Sequence, residues 1–334
     1  MSTGKKVFIV GPGFIGSNVL DLLVAEGYSV RALVRRQEAG KDIKAWGAEP
    51  VIGELDDTKL ISEEASQSDI VIHAATADHL PSAQGVLDGV KTRASKGLST
   101  IYIHTSGASV FDDGAEGAYK NDKVYRDDKP EEIDTVADTA PHREIDLAIL
   151  KVKKELQDKA KIVIMVPPLI YGYIPKHDRL SIQIPKLTRF AIEHGYAGHM
   201  GEGLSVISTI HVLDLARAYI YVLHHLENTS ASDSDLINPY YFIESSHDKE
   251  PSWREVAEAI GEGLHKSGHL DDPKPHTLAK DQYGDLFAFS PGPVFGLNTR
   301  TRSVRLPKLG WKPQEIDWRS SFLDAELPQI LKES

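Results

Sequence analysis

The sequence predicts an α/β protein built on a doubly wound parallel sheet, with a smaller C-terminal lobe. Two observations predict this fold class. Over the first half of the chain, apolar runs of strand length alternate with longer segments of helical period, which is typical of βαβ units. The first run also leads through three closely spaced glycines straight into a helical pattern. We therefore expect parallel strands with helices on both faces.

Six strands are predicted, each from an apolar run between polar or glycine-containing segments. They cover residues 6–10, 29–34, 50–55, 69–75, 99–106 and 161–168. The helix after Gly13 places apolar residues on one face until Gly27 ends it. A long helix over 142–157 is expected to lead into the sixth strand.

The alternation weakens after Tyr171, where a second unit is predicted. Helices are expected around 184–194, 212–226, 252–266 and 316–332. We assign residues 1–172 plus about 208–240 to the sheet domain, and about 173–207 plus 241–334 to a substrate-binding lobe.

Composition limits the partners of the chain. The formal net charge of −11 argues against nucleic acid, which needs a basic face. No run approaches the roughly 20 apolar residues of a membrane helix, and the first residues lack the pattern of a signal peptide. The absence of cysteine excludes disulfides and thiolate chemistry. We expect a cytoplasmic protein with a small-molecule partner, no nucleic acid, no membrane and no metal site.

The glycines after the first strand follow the spacing Gly-x-Gly-x-x-Gly, at Gly11, Gly13 and Gly16. A strand that ends in this turn lets the backbone approach a diphosphate, which rests on the helix N-terminus formed here by Phe14 and Ile15. The turn therefore predicts dinucleotide binding. A glycine turn kept only for packing is the alternative.

The end of the second strand indicates which dinucleotide is bound. An NAD site places a carboxylate about 20 residues after the glycines, whereas this chain has Arg35 and Arg36 there. Guanidinium groups suit a 2′-phosphate, so NADP is favoured, with NAD as the alternative. Solvated surface charges are the other interpretation of the two arginines. After the third strand, Glu54 or Asp56 can accept from the adenine amino group, or act as a helix N-cap.

Seven motifs together give the chain a resemblance to a known family. It resembles the extended short-chain dehydrogenase/reductase superfamily, in the NAD(P)-dependent epimerase/dehydratase and dihydroflavonol-reductase group. The motifs are GPGFIG at 11–16, VRALVRR at 30–36, DIVIHAA at 69–75, TSGASVF at 105–111, PPLIYG at 167–172, IHVLDLARAY at 210–219 and LGWKP at 309–313. The family's first motif usually has one more residue between its first two glycines, and the shortened form resembles atypical members.

The resemblance implies a Rossmann domain that binds NAD(P), a C-terminal substrate lobe, and a homodimer formed through helices flanking the sheet. The motif PPLIYG is then expected to pass beside the nicotinamide. The further cofactor-binding residues that it implies are Leu55, Ala74, Ala75, Pro167, Pro168 and Leu169.

The chain departs from the family at the residues that carry the chemistry. Active members use a Ser or Thr after strand five, then a Tyr and a Lys four residues apart on a helix. Alignment puts Gly107 at the hydroxyl position, and Ser106 or Thr105, just before it, is the candidate that polarises the substrate carbonyl. It puts His142 in place of Tyr and Asp146 in place of Lys. His142 is then a candidate proton donor that Asp146 orients.

A second placement keeps the family's residue types. Tyr119 and Lys123 are four residues apart, and Tyr119 lies 13 residues after Ser106, a separation typical of shorter family members. Nearby glycines predict a loop there, whereas catalysis needs a rigid support, so the His142 alignment is favoured. His142 as a residue without a catalytic role is the remaining interpretation.

Two classes of function follow from these residues. The first is an NADPH-dependent reductase or dehydrogenase acting on a carbonyl or alcohol of a small metabolite. The second is a sensor similar to NmrA-like regulators, which bind NADP without catalysis and act on a protein partner. A non-redox isomerase or dehydratase on the same scaffold is the third interpretation.

Overall fold

A seven-stranded parallel sheet is the centre of the fold in the computed structural model, which describes residues 4–246, 249–287 and 295–333. The strands of the described chain are β1 (Lys6–Val10), β2 (Ser29–Val34), β3 (Glu49–Ile52), β4 (Ile70–His73), β5 (Thr100–Thr105), β6 (Tyr125–Arg126), β7 (Ala160–Val166), β8 (Leu169–Tyr171), β9 (Tyr173–Ile174), β10 (Arg179–Leu180), β11 (Gly198–His199), β12 (Thr209–His211), β13 (Tyr240–Phe242), β14 (His276–Thr277) and β15 (Thr301–Arg302). The sheet runs β13, β7, β5, β4, β1, β2, β3, with parallel pairing throughout. The predicted doubly wound parallel sheet is confirmed.

Helices cover both faces of this sheet. The helices of the described chain are α1 (Phe14–Ala25), α2 (Gln37–Ala45), α3 (Thr58–Ser66), α4 (Leu80–Ser95), α5 (Pro130–Asp134), α6 (Arg143–Leu156), α7 (Gln183–His194), α8 (Val212–Asn228), α9 (Trp253–Lys266), α10 (Tyr283–Phe287), α11 (Arg305–Lys308), α12 (Trp318–Ser321) and α13 (Leu327–Glu333). Apolar residues of α1, α2, α8 and α11 pack in one core cluster, and those of α3, α4 and α6 pack in another, across the sheet. This two-sided burial explains why the strands are continuously apolar.

The six predicted strands all belong to the sheet, and β13 is the strand that the sequence pattern missed. It has three residues, which is too short a run for a period to appear. The predicted helix over 142–157 corresponds to α6, and its N-terminus lies on the same edge of the sheet as the ends of β4 and β5. The order of the strands reverses between β1 and β4, and a crevice at such a point is where open α/β sheets bind ligands.

A third core cluster belongs to the C-terminal part of the chain. It joins apolar residues of α7, α9, α13 and the segments between them, including Trp253 and Phe322, which are both buried. Leu306 and Trp311 also belong to the C-terminal part of the sequence, but they pack in the cluster on the sheet. These two residues therefore join the C-terminal part of the chain to one face of the sheet.

Candidate active site

A cavity of about 380 Å³ lies at the crevice, between the carboxyl ends of the strands and the lobe. Its wall on the sheet side comes from the residues that follow β4, β5 and β7, together with Ile15 of α1 and His142 before α6. Its wall on the lobe side includes Ile182, Ile207 and Phe295. A cavity at this place in an α/β sheet is the expected position for a ligand.

The three glycines of the turn between β1 and α1 differ in what an added Cβ would meet. Gly11 has φ of +89°, and a Cβ there would lie 2.2 Å from the Cα of Ala75. A Cβ on Gly16 would lie 2.2 Å from the carbonyl oxygen of Gly11. A Cβ on Gly13 would meet nothing within 4 Å. Gly11 and Gly16 are thus required by packing, while Gly13 leaves open space above the turn.

The N-terminus of α1 faces this space without a side chain that caps it. The helix begins at Phe14, its N-cap Gly13 makes no side-chain hydrogen bond, and its first turn holds no acidic residue. Uncapped N–H groups beside a bare glycine fit a diphosphate, because the N–H groups can donate to phosphate oxygens. The turn therefore fits the pyrophosphate of a dinucleotide.

The two arginines after β2 are exposed and lie at the sheet edge that the turn occupies. Within the described ranges, neither the Arg35 nor the Arg36 side chain takes part in a hydrogen bond or ion pair. Arg31, on the same strand, instead pairs with Glu64 at 2.9 Å. Arg35 and Arg36 thus present guanidinium groups that are available to a phosphate.

The other predicted cofactor residues fall into two groups. Glu54 is exposed, and its backbone N–H donates to Asp57 at 2.7 Å, whereas Leu55 is half-buried against the core. The residues that follow β4 and β7 line the cavity; they are Ala74, Ala75, Pro167, Pro168 and Leu169. The ends of three strands and Ile15, at the start of α1, therefore meet at one cavity.

His142 lies at the centre of a hydrogen-bonded chain on the cavity wall. Its Nδ1 is 2.6 Å from Oδ1 of Asp78, and its Nε2 is 2.6 Å from Oγ of Ser109. A carboxylate can only accept, so Nδ1 carries the proton that points to Asp78, and Nε2 of the neutral ring accepts from Ser109. The ring is held at both nitrogens, with the second one at the cavity.

The backbone of His142 is unusual as well. Its φ is +66°, a left-handed conformation that costs a non-glycine residue on the order of 1 kcal/mol. The residue is the N-cap of α6, so this conformation turns the chain into the helix. Backbone strain of this kind persists where surrounding contacts determine the geometry, and it concentrates at functional sites.

Gly107 and His142 fit each other in space. A Cβ on Gly107 would lie 3.0 Å from Nε2 of His142, which is tighter than ordinary contact. The glycine that stands where the resemblance implies a hydroxyl therefore makes room for the imidazole. Ser109, two residues later, brings a hydroxyl to Nε2 instead.

Asp146 does not have the partner that the sequence predicted. Its Oδ2 accepts from Oγ of Ser106 at 2.9 Å, and the side chain is buried. Asp78 is the carboxylate that hydrogen-bonds His142. Asp146 therefore does not orient His142 as the sequence led us to expect, because its carboxylate is paired with Ser106 instead. Burial raises the pKa of Asp146 to about 6, against the Ser106 hydrogen bond, which lowers it.

The two hydroxyls after β5 both line the cavity but have different partners. Ser106 donates to Asp146, and Oγ of Thr105 is 2.5 Å from the hydroxyl of Tyr219. Each therefore has one hydrogen bond inside the protein.

Tyr119 and Lys123 lie away from this cavity and are not among the residues that line it. The Tyr119 ring is exposed, and its hydroxyl donates to the carbonyl of Asp113 at 3.3 Å. Nζ of Lys123 is 2.7 Å from a carboxylate oxygen of Glu132. The structure thus brings His142, Ser106 and Thr105 to the cavity and keeps the Tyr119–Lys123 pair on the surface.

Sequence reasoning missed Asp78 and Ser109. Asp78 follows β4 and Ser109 follows β5, which are adjacent parallel strands. Because the carboxyl ends of parallel strands share one edge of a sheet, polar residues just after neighbouring strands are expected to meet. That rule, applied to the runs ATAD (75–78) and TSGAS (105–109), was the signal that could have found both.

Two whole-chain features complete the description. None of the helices over the described ranges is both long and apolar enough to cross a bilayer. The same residues contain no group of three or more His, Asp or Glu side chains arranged to hold a metal ion.

Comparison with known proteins places this site in context. Residues 7–234 match the model of the NAD dependent epimerase/dehydratase family. The oxidase ucsJ of an Acremonium species is 28% identical over 336 residues, which cover 92% of this chain and 93% of that protein. The 4-hydroxy-2-methyl-3-oxo-4-farnesyl-3,4-dihydroquinoline-1-oxide ketoreductase of Stigmatella aurantiaca is 45% identical over 71 residues, 21% of each chain.

A solved structure gives the same fold at low identity. The UDP-glucuronic acid 4-epimerase of Bacillus cereus, in complex with UDP-glucuronic acid and NAD, superposes with a TM-score of 0.68 at 15% identity. The match covers 98% of this chain and all of the epimerase. At this identity the similarity concerns the fold alone.

Proposed function

The chain belongs to the NAD-dependent epimerase/dehydratase family, within the extended short-chain dehydrogenase/reductase superfamily. From that premise we propose that the protein is an NADP(H)-dependent carbonyl reductase or alcohol dehydrogenase in which His142 is the proton donor. The family makes it an NAD(P)-dependent enzyme of the oxidoreductase type. The observation that carries the finer proposal is the chain of hydrogen bonds from Asp78 through His142 to Ser109, with 2.6 Å at each step.

His142 performs the task that the family gives to a tyrosine. In the imidazolium form, its Nε2–H donates to the carbonyl oxygen of the substrate and transfers the proton as the oxygen gains charge. Asp78 accepts from Nδ1–H throughout, so it fixes the tautomer and the orientation of the ring. Ser109 Oγ, beside Nε2, binds the same substrate oxygen.

The dinucleotide, when bound, supplies the hydride for reduction or takes it in the reverse direction. Three parts of this chain would hold it: the turn at Gly13, the uncapped N-terminus of α1, and the residues that follow β4 and β7. The last are Ala74, Ala75, Pro167, Pro168 and Leu169. Reduction then adds one hydride to the carbonyl carbon and one proton from His142 to the oxygen. In oxidation His142 takes the proton from the alcohol.

The preference for NADP rests on Arg35 and Arg36. Both guanidinium groups are exposed at the end of β2 and have no partner in the described part of the chain. A carboxylate at this place would repel a 2′-phosphate, whereas a guanidinium can bind two of its oxygens. We therefore expect NADPH to bind more tightly than NADH.

The names of two relatives support redox chemistry over isomerisation. The Acremonium protein is named an oxidase and the Stigmatella protein a ketoreductase. A ketoreductase reduces a carbonyl group, which is the reaction that a proton donor beside a nicotinamide site performs.

The experiment follows the hydride itself. NADPH carrying deuterium at both C4 positions is incubated with the protein and a panel of aldehydes and ketones, and the products are analysed by mass spectrometry. We expect deuterium on the carbinol carbon of at least one product, and a higher kcat/KM with NADPH than with NADH. NADPH that binds in calorimetry but transfers no deuterium would contradict the proposal and favour a sensor or a non-redox reaction.

A further inference from the structure

Lys186 is a charged residue on the cavity wall for which the reaction described above has no use. It lies in the first turn of α7 and lines the cavity together with Ile182 and Gln183. Its backbone N–H donates to the carbonyl of Ile182, one turn earlier, so the two residues occupy the same face of the helix. Lys186 thus faces the cavity from the side of the lobe, opposite the sheet.

The Lys186 ammonium has no counter-ion among the residues that the structure describes. Across the described ranges it forms no ion pair and no side-chain hydrogen bond. Other partly buried cations have partners in the protein: Arg300 lies 2.8 Å from Glu250, and the Lys153 ammonium donates to the carbonyl of Leu236. Burial lowers the pKa of Lys186, and no neighbouring carboxylate opposes that effect. An ammonium partly removed from water without a partner is stabilised when an anion reaches it.

The rest of the wall limits what that anion can belong to. Among the described residues that line the cavity, His142 and Lys186 are the ionisable ones, and none is Asp, Glu or Arg. The residues that the lobe contributes to the cavity include the apolar Ile182, Ile207 and Leu297 beside the uncharged Gln183 and Thr299. One cation matches one negative charge, whereas a diphosphate would bring two charges into the cavity. An apolar body with a single anionic group is the complementary ligand.

We propose that Lys186 binds a carboxylate of the substrate, and that the substrate is an otherwise apolar carbonyl compound with this one acidic group. The inference rests on the proposed function for the reacting end of the molecule, at His142. It adds a second point of attachment, at the far wall of the cavity. Two fixed points orient the carbonyl group towards Nε2.

The test uses neutral and anionic probes of the same shape. Biphenyl-4-carboxylate and biphenyl-4-carboxamide are titrated into the full-length protein by calorimetry, with and without NADP⁺. The variants are Lys186→Gln, Lys186→Arg and, as a matched control from the same lobe, the exposed Lys266→Gln. Turnover of 4-formylbenzoate and of its methyl ester is measured in parallel with NADPH.

We expect the carboxylate to bind about tenfold or more tightly than the carboxamide, because a charge-assisted hydrogen bond replaces a neutral one. Lys186→Gln removes that difference, while Lys186→Arg and Lys266→Gln keep most of it. Added NaCl reduces the preference in the unmodified protein, which tests the charge without any substitution. Equal binding of the two probes, or a preference that Lys186→Gln leaves intact, overturns the proposal.

Binding of the biphenyl probes tests the anion site, and turnover of the aldehydes tests the proposed function, so the failure of one can be told from the failure of the other. Carboxylate binding that depends on Lys186, with no NADPH consumed by either aldehyde or by any compound of the carbonyl panel, would support the anion site and contradict the reductase. Turnover of the aldehyde and its ester at equal kcat/KM, unaffected by Lys186→Gln, would support the reductase and overturn the anion site.

Discussion

The helices α1 and α6 both begin at the cavity, yet they bring different kinds of groups to it. α1 begins after a glycine, with no capping side chain and open space where a Cβ would lie. α6 begins at His142, whose ring is hydrogen-bonded at both nitrogens and whose backbone is left-handed. The start of α1 offers backbone N–H groups, and the start of α6 offers side chains that titrate.

This difference separates binding from chemistry. Backbone groups at a helix start hold phosphate whatever the surrounding side chains are, so the site depends on the absence of side chains. Proton transfer depends on one ring held by particular partners. This chain has the Gly-x-Gly-x-x-Gly spacing after β1, whereas Gly107 and His142 stand where the resemblance implies a hydroxyl and a tyrosine.

The largest effect on cofactor affinity should follow from filling the space at α1. In Gly13→Val the added side chain occupies the position where the pyrophosphate is expected, so affinity for NADPH should fall by more than about a hundredfold. Calorimetry measures that loss. Gly284→Val is the matched control, since a Cβ there also meets nothing within 4 Å. Equal NADPH binding by the two variants would contradict this account of the turn.

A change at the start of α6 should alter stability with a defined pH dependence. Asp146 has its pKa raised from 3.8 to about 6, so the folded protein holds this proton more tightly than the unfolded chain. The unmodified protein therefore loses stability as the pH rises from about 4 to about 6, and Asp146→Asn does not have this loss. The advantage of the variant should grow by about 3 kcal/mol across that range.

Urea unfolding at several pH values measures this difference. Glu144→Gln, an exposed change in the same helical turn, is the control and should follow the unmodified protein. If the difference in stability between Asp146→Asn and the unmodified protein stays constant from pH 4 to pH 7, the pKa of Asp146 is not raised by its burial.

Arg35 and Arg36, after β2, are expected to determine the preference for NADPH over NADH. Replacing Arg35 and Arg36 together by Gln should weaken NADPH binding by about tenfold or more, because the 2′-phosphate loses its cationic partners. NADH lacks that phosphate and serves as the internal control, with unchanged affinity. Loss of affinity for both dinucleotides by the same factor would assign the arginines a structural role.

The smallest effect is expected at Tyr119. Its hydroxyl is on the surface and contacts a backbone carbonyl, so Tyr119→Phe should leave kcat/KM within about twofold. Steady-state NADPH oxidation measures it, with Lys123→Gln alongside. A loss of turnover in both variants would assign the proton transfer to Tyr119 and Lys123 and would contradict the assignment of His142 as the proton donor.

The parts of the molecule that sequence predicted are those determined by local pattern. The sheet, α1 and the turn at Gly13 follow from apolar period and glycine spacing within about 20 residues. The contacts of His142 join residues 64 and 33 positions apart, and no local pattern encodes which of several hydroxyls and carboxylates is nearest. Asp146 illustrates this, because helical spacing placed it one turn from His142 while the fold paired it with Ser106.

Single-turnover NADPH oxidation by His142→Phe tests the central claim most directly. It uses the carbonyl compound with the fastest turnover in the panel, with NADPH binding measured on the same samples. We expect the rate of His142→Phe to fall by about a thousandfold with cofactor affinity preserved, and that of Asp78→Asn to fall by an intermediate factor. A rate in His142→Phe equal to that of the unmodified protein would contradict the assignment of His142 as the proton donor.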